Sequence, residues 1–86
     1  MNKLFTENGW ADYVSWQTED RKTLRRINQL IADIERNGSA GIGKPEPLRG
    51  DLSGFWSRRI NDKDRLIYRV EGENIIILAC RYHYGR

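Results

Sequence analysis

Two side chains capable of proton transfer lie far apart in the second half of this sequence. Glu46 stands between two prolines in the segment KPEPL, and His83, the only histidine, lies close to the C-terminus. The arginine-containing segments FWSRRI and RLIYRV occur between them. A carboxylate can accept a proton, an imidazole with a pKa of about 6.5 can donate one, and arginines stabilise negative charge. Together these residue types predict acid–base chemistry on a phosphodiester.

The distribution of charge also indicates a phosphate-bearing partner. Residues 1–43 carry six Lys and Arg against six Asp and Glu, whereas residues 44–86 carry nine against six. The net charge of +3 therefore comes from the second half of the chain. Eleven of the fifteen cations are arginine, whose planar guanidinium favours bidentate phosphate contacts. A pI near 9.3 fits a nucleic-acid partner.

RNA is the phosphodiester that this set fits, because its 2′-hydroxyl is a built-in nucleophile. A base removes the hydroxyl proton, cations hold the charge of the phosphorane, and an acid protonates the departing 5′-oxygen. Glu46 is the candidate base, since the flanking prolines hold its backbone extended, and His83 is the candidate acid. The alternatives are a solvated surface glutamate and a half-exposed histidine near the chain end. Tyr82 and Tyr84 are candidates for stacking on a base.

Five arginines are candidate cations, namely Arg58, Arg59, Arg65, Arg69 and Arg81, but strand alternation divides them between two faces. Arg59 is expected on one face with Ser57, opposite Arg58. Arg65 and Arg69 are expected opposite an apolar face. We expect Arg58 and Arg69 to be solvated or paired with carboxylates in the later turns, at Asp62, Asp64 or Glu71.

No metal site and no cofactor are predicted. The sequence has one histidine and one cysteine, without the HExxH or paired-cysteine spacing of zinc sites. No serine lies in a nucleophile-elbow pattern. Cys80 lies in an apolar, strand-like run, so we interpret it as a small buried hydrophobe rather than a nucleophile.

The apolar pattern predicts helices early in the chain. A short strand at residues 3–6 precedes a first helix capped by Thr6 or Asn8. Its apolar side, formed by Trp10, Tyr13, Val14 and Trp16, is expected mostly in the core. Thr18 is expected to cap a second helix, whose apolar stripe runs from Leu24 to Ile34 and which stops at Asn37-Gly38. The glycine-rich residues 38–43 are interpreted as a flexible connector.

The rest of the chain predicts strands at residues 55–60, 64–70 and 74–82, with a hairpin turn at residues 71–73. The fold class is therefore α+β: two N-terminal helices packed on a mainly antiparallel sheet of four to five strands, in one domain spanning residues 1–86. No segment approaches the ~20 apolar residues of a membrane span, and the N-terminus lacks an apolar signal core. We expect a cytoplasmic protein with no membrane partner.

The predicted register raises one geometric difficulty. A two-residue turn at Gly72-Glu73 would pair Ile67 with Leu78, and alternation would then place His83 on the face opposite Arg65. A site that contains both residues requires a bulge, a turn of odd length or a twist at the chain end.

Four segments, KPEPL, LSGFWSRRI, RLIYRV and ACRYHY, resemble the YoeB toxin family within the RelE-like group of bacterial toxins. The resemblance covers nearly the whole chain. It implies a fold like that of RelE and the microbial ribonucleases, and metal-independent cleavage of messenger RNA in the ribosomal A site. The implied roles are general base for Glu46, general acid for His83, transition-state arginine for Arg65 and site-arranging tyrosine for Tyr84. The implied RNA contacts are Lys44, Arg49 and Arg59.

The resemblance also implies partners: the ribosome and its messenger RNA, a second copy of the chain, and a YefM-like antitoxin with which operator DNA is bound. Two departures stand out, because Gly85-Arg86 extends the chain past the usual terminal tyrosine and Gly50-Asp51 replaces a different pair. Two alternatives remain open. One is a non-enzymatic toxin that binds a partner such as DNA gyrase, as ParE-like proteins do, and the other is a nucleic-acid-binding co-repressor.

Overall fold

The order of elements in the chain is strand, two helices, then four strands. The computed structural model describes residues 1–81. Its elements are β1 (Asn2–Phe5), α1 (Glu7–Glu19), α2 (Arg21–Asn37), β2 (Glu46–Pro47), a short 3-10 turn (Gly50–Leu52), β3 (Trp56–Arg59), β4 (Arg65–Glu71) and β5 (Asn74–Ala79). The strands form one sheet in the order β1-β5-β4-β3-β2, with only β1 and β5 parallel. Two helices on a mainly antiparallel sheet confirm the predicted α+β class.

Each helix begins at a side chain that accepts hydrogen bonds from free backbone N–H groups. The Thr6 hydroxyl accepts from Gly9 N–H at 3.0 Å, as predicted for α1. The prediction that Thr18 caps α2 is wrong, because Thr18 lies inside α1 and Asp20 is the cap. The Asp20 carboxylate accepts from Lys22 and Thr23. As predicted, α2 ends at Asn37, and Gly38 at φ 60° donates its N–H to the Ile34 carbonyl.

The core lies between the helices and one face of the sheet. The helices contribute Trp16 of α1 and the apolar stripe of α2, which consists of Ile27, Leu30, Ile31 and Ile34. The sheet contributes the residues that face them, which are Leu66, Tyr68, Ile75, Ile77 and Cys80. The predicted α2 stripe is confirmed, with Leu24 at its partly buried margin. Within the described residues, no helix is long and apolar enough to cross a membrane.

The prediction for the apolar side of α1 is partly wrong. Trp16 is buried, but Trp10 is 52% exposed and Val14 40% exposed. The reason is that α1 approaches β5 through Gly9, where a Cβ atom would collide with the Ile77 carbonyl. Trp10 is turned away from that contact and packs its ring edge-on against Phe5, with centroids 5.4 Å apart.

Arg58 on β3 is fully buried on the helix side of the sheet, which the sequence did not predict. Its guanidinium makes an ion pair with Asp33 of α2 at 2.6 Å and donates from Nε to the Tyr68 hydroxyl at 3.0 Å. The remaining hydrogen bonds go to the carbonyls of Gly38, Ala40 and Ile42. The expectation that Arg58 is solvated or paired with Asp62, Asp64 or Glu71 is therefore wrong.

The segment at residues 38–43 is consequently a cradle for Arg58 rather than a simple flexible connector. Asp33 also accepts from Ile42 N–H at 3.0 Å, so the loop is bound from both sides of the ion pair. The glycines allow this close approach, because a Cβ on Gly41 would collide with the Asp33 carboxylate and Gly41 has φ 109°. The hydrogen bond from Arg58 holds the pKa of Asp33 below its usual range.

We expect Arg58→Met to lower the free energy of unfolding by roughly 3 kcal/mol or more, because it removes the cation that pairs with the buried Asp33 carboxylate and leaves three loop carbonyls without their donor. Urea unfolding measures the change. Arg36→Met, on an exposed cation at the end of the same helix, is the matched control and should change stability by less than about 0.5 kcal/mol. A similar small change for both variants would contradict the assigned role of Arg58.

Candidate active site

One face of the sheet points away from the helices, and we call it the outer face. Cross-strand partners share a face, and the row Glu46–Ser57–Ile67–Ala79 crosses four strands on this side. Next to this row, Arg59 and Arg65 are direct partners on β3 and β4. The outer face therefore brings together three of the predicted site residues, Glu46, Arg59 and Arg65. The predicted grouping of Arg59 with Ser57, opposite Arg58, is confirmed.

Glu46 lies on the short edge strand β2 and is exposed. Its neighbours Pro45 and Pro47 lack an N–H group, which an edge strand tolerates. The strand is held at both ends by backbone hydrogen bonds, from Arg59 N–H to the Gly43 carbonyl at 2.6 Å and from Leu48 N–H to the Phe55 carbonyl at 2.9 Å. The carboxylate is thus accessible on a backbone that has little freedom to move.

Arg65 has a fixed guanidinium whose charge is not neutralised by the groups that hold it. Its Nη1 donates to the carbonyls of Asn61 at 2.8 Å, Asp62 at 3.3 Å and Asp64 at 3.0 Å. The turn that presents these carbonyls is itself fixed, because the Asn61 side chain accepts from the N–H groups of Lys63 and Asp64. Within residues 1–81, the acceptors of this guanidinium are neutral carbonyls, so its charge remains available to an anionic ligand.

The other predicted cations of the site are exposed. Arg59 lies at the end of β3, Lys44 precedes β2, and Arg49 follows it at the start of the 3-10 turn. Among residues 1–81, no ion pair involves any of these three side chains. Lys44 has φ 52°, which is unusual for a residue other than glycine. Lys44 and Arg49 thus flank β2, and Arg59 lies on the strand that pairs with it, with Glu46 an exposed carboxylate on β2 itself.

His83 and Tyr84, the predicted acid and site-arranging tyrosine, lie outside the described residues, as does Tyr82. The part of β5 that leads towards them contains the irregularity that the predicted register required. The two-residue turn is confirmed by the pairing of Glu71 with Asn74, but Ile67 pairs with Ala79 instead of Leu78. A register shift between Ile67 and Tyr68 inserts one residue into β5. Beyond it, Cys80 faces the helices and Ala79 the outer face, which reverses the earlier alternation.

The first helix fixes the chain just before these terminal residues, and the sequence reasoning missed this role. The buried Asp12 carboxylate accepts from Cys80 N–H at 3.0 Å, and Trp16 Nε1 donates to the Cys80 carbonyl at 2.9 Å. Asp12 and Trp16 are four residues apart, on the same helix face. A polar residue in register with a buried tryptophan is the sequence signal that could have indicated this contact.

Arg81, another predicted cation, is bound to the same helix. Its guanidinium lies 4.0 Å from the centre of the Trp16 ring, forms a 2.7 Å ion pair with Glu19 and donates to the Ser15 hydroxyl at 2.8 Å. These contacts raise the pKa of Arg81, chiefly through the hydrogen bond to Glu19. Arg81 therefore fixes the backbone near the chain end and is not a free cation of the site.

Arg69 has a local partner, as predicted. Its guanidinium pairs with Glu71 at 3.3 Å and lies over the Phe55 ring, 5.1 Å from the centroid. Arg69 shares the outer face with Arg65, but among residues 1–81 Arg69 has an acidic partner and Arg65 has no ion pair.

Comparison with known proteins first defines a class. YafQ from Escherichia coli shares the fold, with a TM-score of 0.78 at 14% identity, over 95% of this chain and 92% of YafQ. A solved YoeB/ParE toxin from Agrobacterium tumefaciens is much more similar, with a TM-score of 0.92 and 43% identity over 98% of this chain and all of that one. The molecule therefore has the architecture of a small bacterial toxin.

The sequence then identifies the family. Residues 5–84 match the model of the YoeB-like toxin of bacterial type II toxin–antitoxin systems. The chain is 56% identical to Toxin YoeB of Streptomyces coelicolor and 49% identical to that of Escherichia coli K12, each over 98% of this chain and 100% of the relative. The chain belongs to the YoeB family of type II toxin–antitoxin toxins, as its motifs indicated. A YoeB–YefM complex from Staphylococcus aureus contains a chain that is 45% identical and has a TM-score of 0.92, over 98% of both chains.

Cys80 is expected to be chemically inert in the folded protein. The side chain is fully buried, and burial, with the nearby Asp12 carboxylate, raises the pKa of its thiol to about 12. Alkylation with iodoacetamide at pH 8 should be at least roughly a hundredfold slower for the native protein than in urea. Rapid stoichiometric labelling of the native protein would contradict the interpretation of Cys80 as a core residue.

Proposed function

We propose that this toxin inhibits translation by cleaving messenger RNA in the ribosomal A site, without a metal ion. The observation that carries the proposal is the placement of exposed Glu46 on the same sheet face as the paired Arg59 and Arg65. A base beside two cations fits attack of a neighbouring hydroxyl on a phosphate. The other face is filled by the helices and the core.

Glu46 is the proposed general base, which accepts the proton of the RNA 2′-hydroxyl. The 2′-oxygen then forms a bond to the adjacent phosphorus, and the bond from phosphorus to the 5′-oxygen breaks. Arg65 and Arg59 stabilise the additional negative charge on the phosphorane oxygens. His83 is the proposed acid that protonates the leaving 5′-oxygen, and Tyr84 helps to arrange it. The products are a 2′,3′-cyclic phosphate and a 5′-hydroxyl.

Lys44 and Arg49 are the proposed contacts for phosphates on either side of the scissile bond. Both are exposed in the segments that flank β2. Contacts of this kind position a strand but carry no base preference.

The proposed protein partners follow from relatives. Staphylococcus aureus YoeB has been solved as a dimer, with 45% identity to this chain, and as a heterotetrameric complex with YefM. We extend both assemblies to this chain, which we expect to form a homodimer and to be inhibited by a YefM-like antitoxin. The complex of toxin and antitoxin is expected to bind operator DNA. The exposed side chains of Trp10 and Val14 on α1 leave apolar surface available for such contacts.

We expect Glu46→Gln to lower the rate of single-turnover cleavage on programmed ribosomes by roughly 10²- to 10⁴-fold, because glutamine cannot accept the proton. Arg65→Ala should lower the same rate by roughly 10²- to 10³-fold through loss of charge stabilisation. Thermal unfolding of both variants should stay close to that of the wild type, since Glu46 is exposed and Arg65 only half-buried.

Arg36→Ala is the matched control for removal of an arginine, because its side chain is exposed at the C-terminal end of α2. It should cleave at the wild-type rate. Cleavage by a folded Glu46→Gln protein at the wild-type rate would show that the base is assigned wrongly. Loss of translation with intact messenger RNA would instead support the toxin that acts only by binding.

A further inference from the structure

The first two turns of α2 carry a cluster of cations that the proposed site does not use. These residues, which we call the α2 ridge, are Arg21, Lys22, Arg25 and Arg26. All except the half-buried Arg26 are exposed. Within residues 1–81, none of the four forms an ion pair.

The balanced charge of the first half of the sequence conceals this ridge. Most acidic residues of that half are engaged elsewhere: Glu19 with Arg81, Asp33 with Arg58, and Glu35 with Lys3 and the N-terminus. Asp12 is buried against the backbone of Cys80. Asp20 is the carboxylate next to the ridge, and its oxygens accept the capping hydrogen bonds of α2. The surface charge of the ridge is therefore positive.

Helix stability does not account for the ridge. Arg21 and Arg25, and likewise Lys22 and Arg26, are like charges four residues apart, an arrangement that destabilises a helix. Cations in the first turns also oppose the positive end of the helix dipole, which Asp20 offsets only in part. The cations of the ridge lower the stability of the helix and have no ion-pair partner within residues 1–81. We infer that their partner is an anionic molecule outside the protein.

The ridge is continuous with the edge of the proposed active site. Arg26 Nη2 donates to the backbone carbonyl of Arg59 at 3.3 Å. The cations of the helix are therefore in direct contact with the residue that carries one of the outer-face cations. The helix itself lies on the other side of the sheet from Glu46. A single strand held by Arg59 and Arg65 would need to turn around the sheet edge to reach Arg21, whereas a rigid RNA helix beside that strand would not.

We propose that Arg21, Lys22 and Arg25 form a second phosphate-binding surface, which docks the toxin on structured ribosomal RNA beside the messenger. The proposal rests on the proposed function and names a further RNA contact for it. Successive turns of the helix place cations about 6 Å apart along its axis, on one face. Guanidinium groups bind phosphate oxygens in bidentate fashion, so the surface recognises a backbone rather than a base sequence.

The test uses the triple variant Arg21→Gln/Lys22→Gln/Arg25→Gln, since glutamine keeps the helix propensity and removes the charge. Arg26 is left in place because it contacts Arg59. Binding to vacant ribosomes is measured between 50 and 300 mM salt, over which the screening length falls from about 14 to about 6 Å. All proteins carry Glu46→Gln, so that binding is read independently of cleavage. Arg36→Gln is the control for loss of an exposed cation from the same helix.

We expect the triple variant to bind ribosomes at least tenfold more weakly at the lowest salt. The slope of log affinity against log salt should fall by roughly two to three, because about 0.7 to 0.9 counterions are released per phosphate contact. The Arg36→Gln control should keep the parent affinity and slope. Parent-like affinity and slope for the triple variant would overturn the proposal, as would the absence of ribosome binding by the parent.

A second arm separates ribosomal RNA from DNA. The antitoxin complexes of the triple variant and of the parent are titrated with operator DNA. Weaker DNA binding together with unchanged ribosome binding would assign the ridge to DNA and overturn the proposal. If the proposed nuclease function is wrong and the ridge proposal is right, the triple variant will still bind ribosomes more weakly, but the wild-type protein will leave the messenger intact. If the wild-type protein cleaves the messenger but the triple variant binds ribosomes as well as the parent, the ridge proposal is refuted and the proposed nuclease function stands.

Discussion

The buried ion pair between Arg58 and Asp33 is the interaction on which the arrangement of the site depends. It connects α2, β3, β4 and the loop at residues 38–43, because all three nitrogens of the guanidinium donate hydrogen bonds to these elements. Burying such a charge is costly unless every donor is satisfied. Since the loop leads directly to β2, the same bonds that satisfy Arg58 limit where Glu46 can lie. The buried pair therefore contributes a defined geometry to the exposed site.

Two further supports fix the cations and the end of the chain. Three backbone carbonyls of the turn before β4 accept hydrogen bonds from the Arg65 guanidinium and so fix its orientation. Helix α1 binds both the N–H and the carbonyl group of Cys80. The Arg65 guanidinium is thus held by a rigid turn while its side chain stays half-exposed, and the backbone at Cys80 is fixed against α1. A site held ready in this way loses little conformational entropy when RNA binds.

Periodicity predicted much of the fold, since the α2 stripe, the three later strands and the two-residue turn all follow from local pattern. Alternation also placed Arg58 opposite Arg59, but nothing near it in sequence pointed to Asp33, which is distant along the chain. The glycines at 41 and 43 were interpreted by their flexibility, whereas the structure uses their small size against Asp33 and Leu30. Thr18 and Asp20 are both good capping residues, and the actual bend of the chain selects Asp20. The bulge in β5 was required by the site but could not be located, because local sequence does not specify strand register.

The most direct test of the account is the chemistry of the RNA ends that the toxin produces on translating ribosomes. If Glu46, Arg59 and Arg65 act on the 2′-hydroxyl as nucleophile, the fragments should map to the A-site codon and carry 2′,3′-cyclic phosphate and 5′-hydroxyl termini. Fragments with 3′-hydroxyl and 5′-phosphate termini would mean that water attacks instead, and an intact message with folded, antitoxin-free protein would mean that no cleavage occurs. Either result would contradict the central claim.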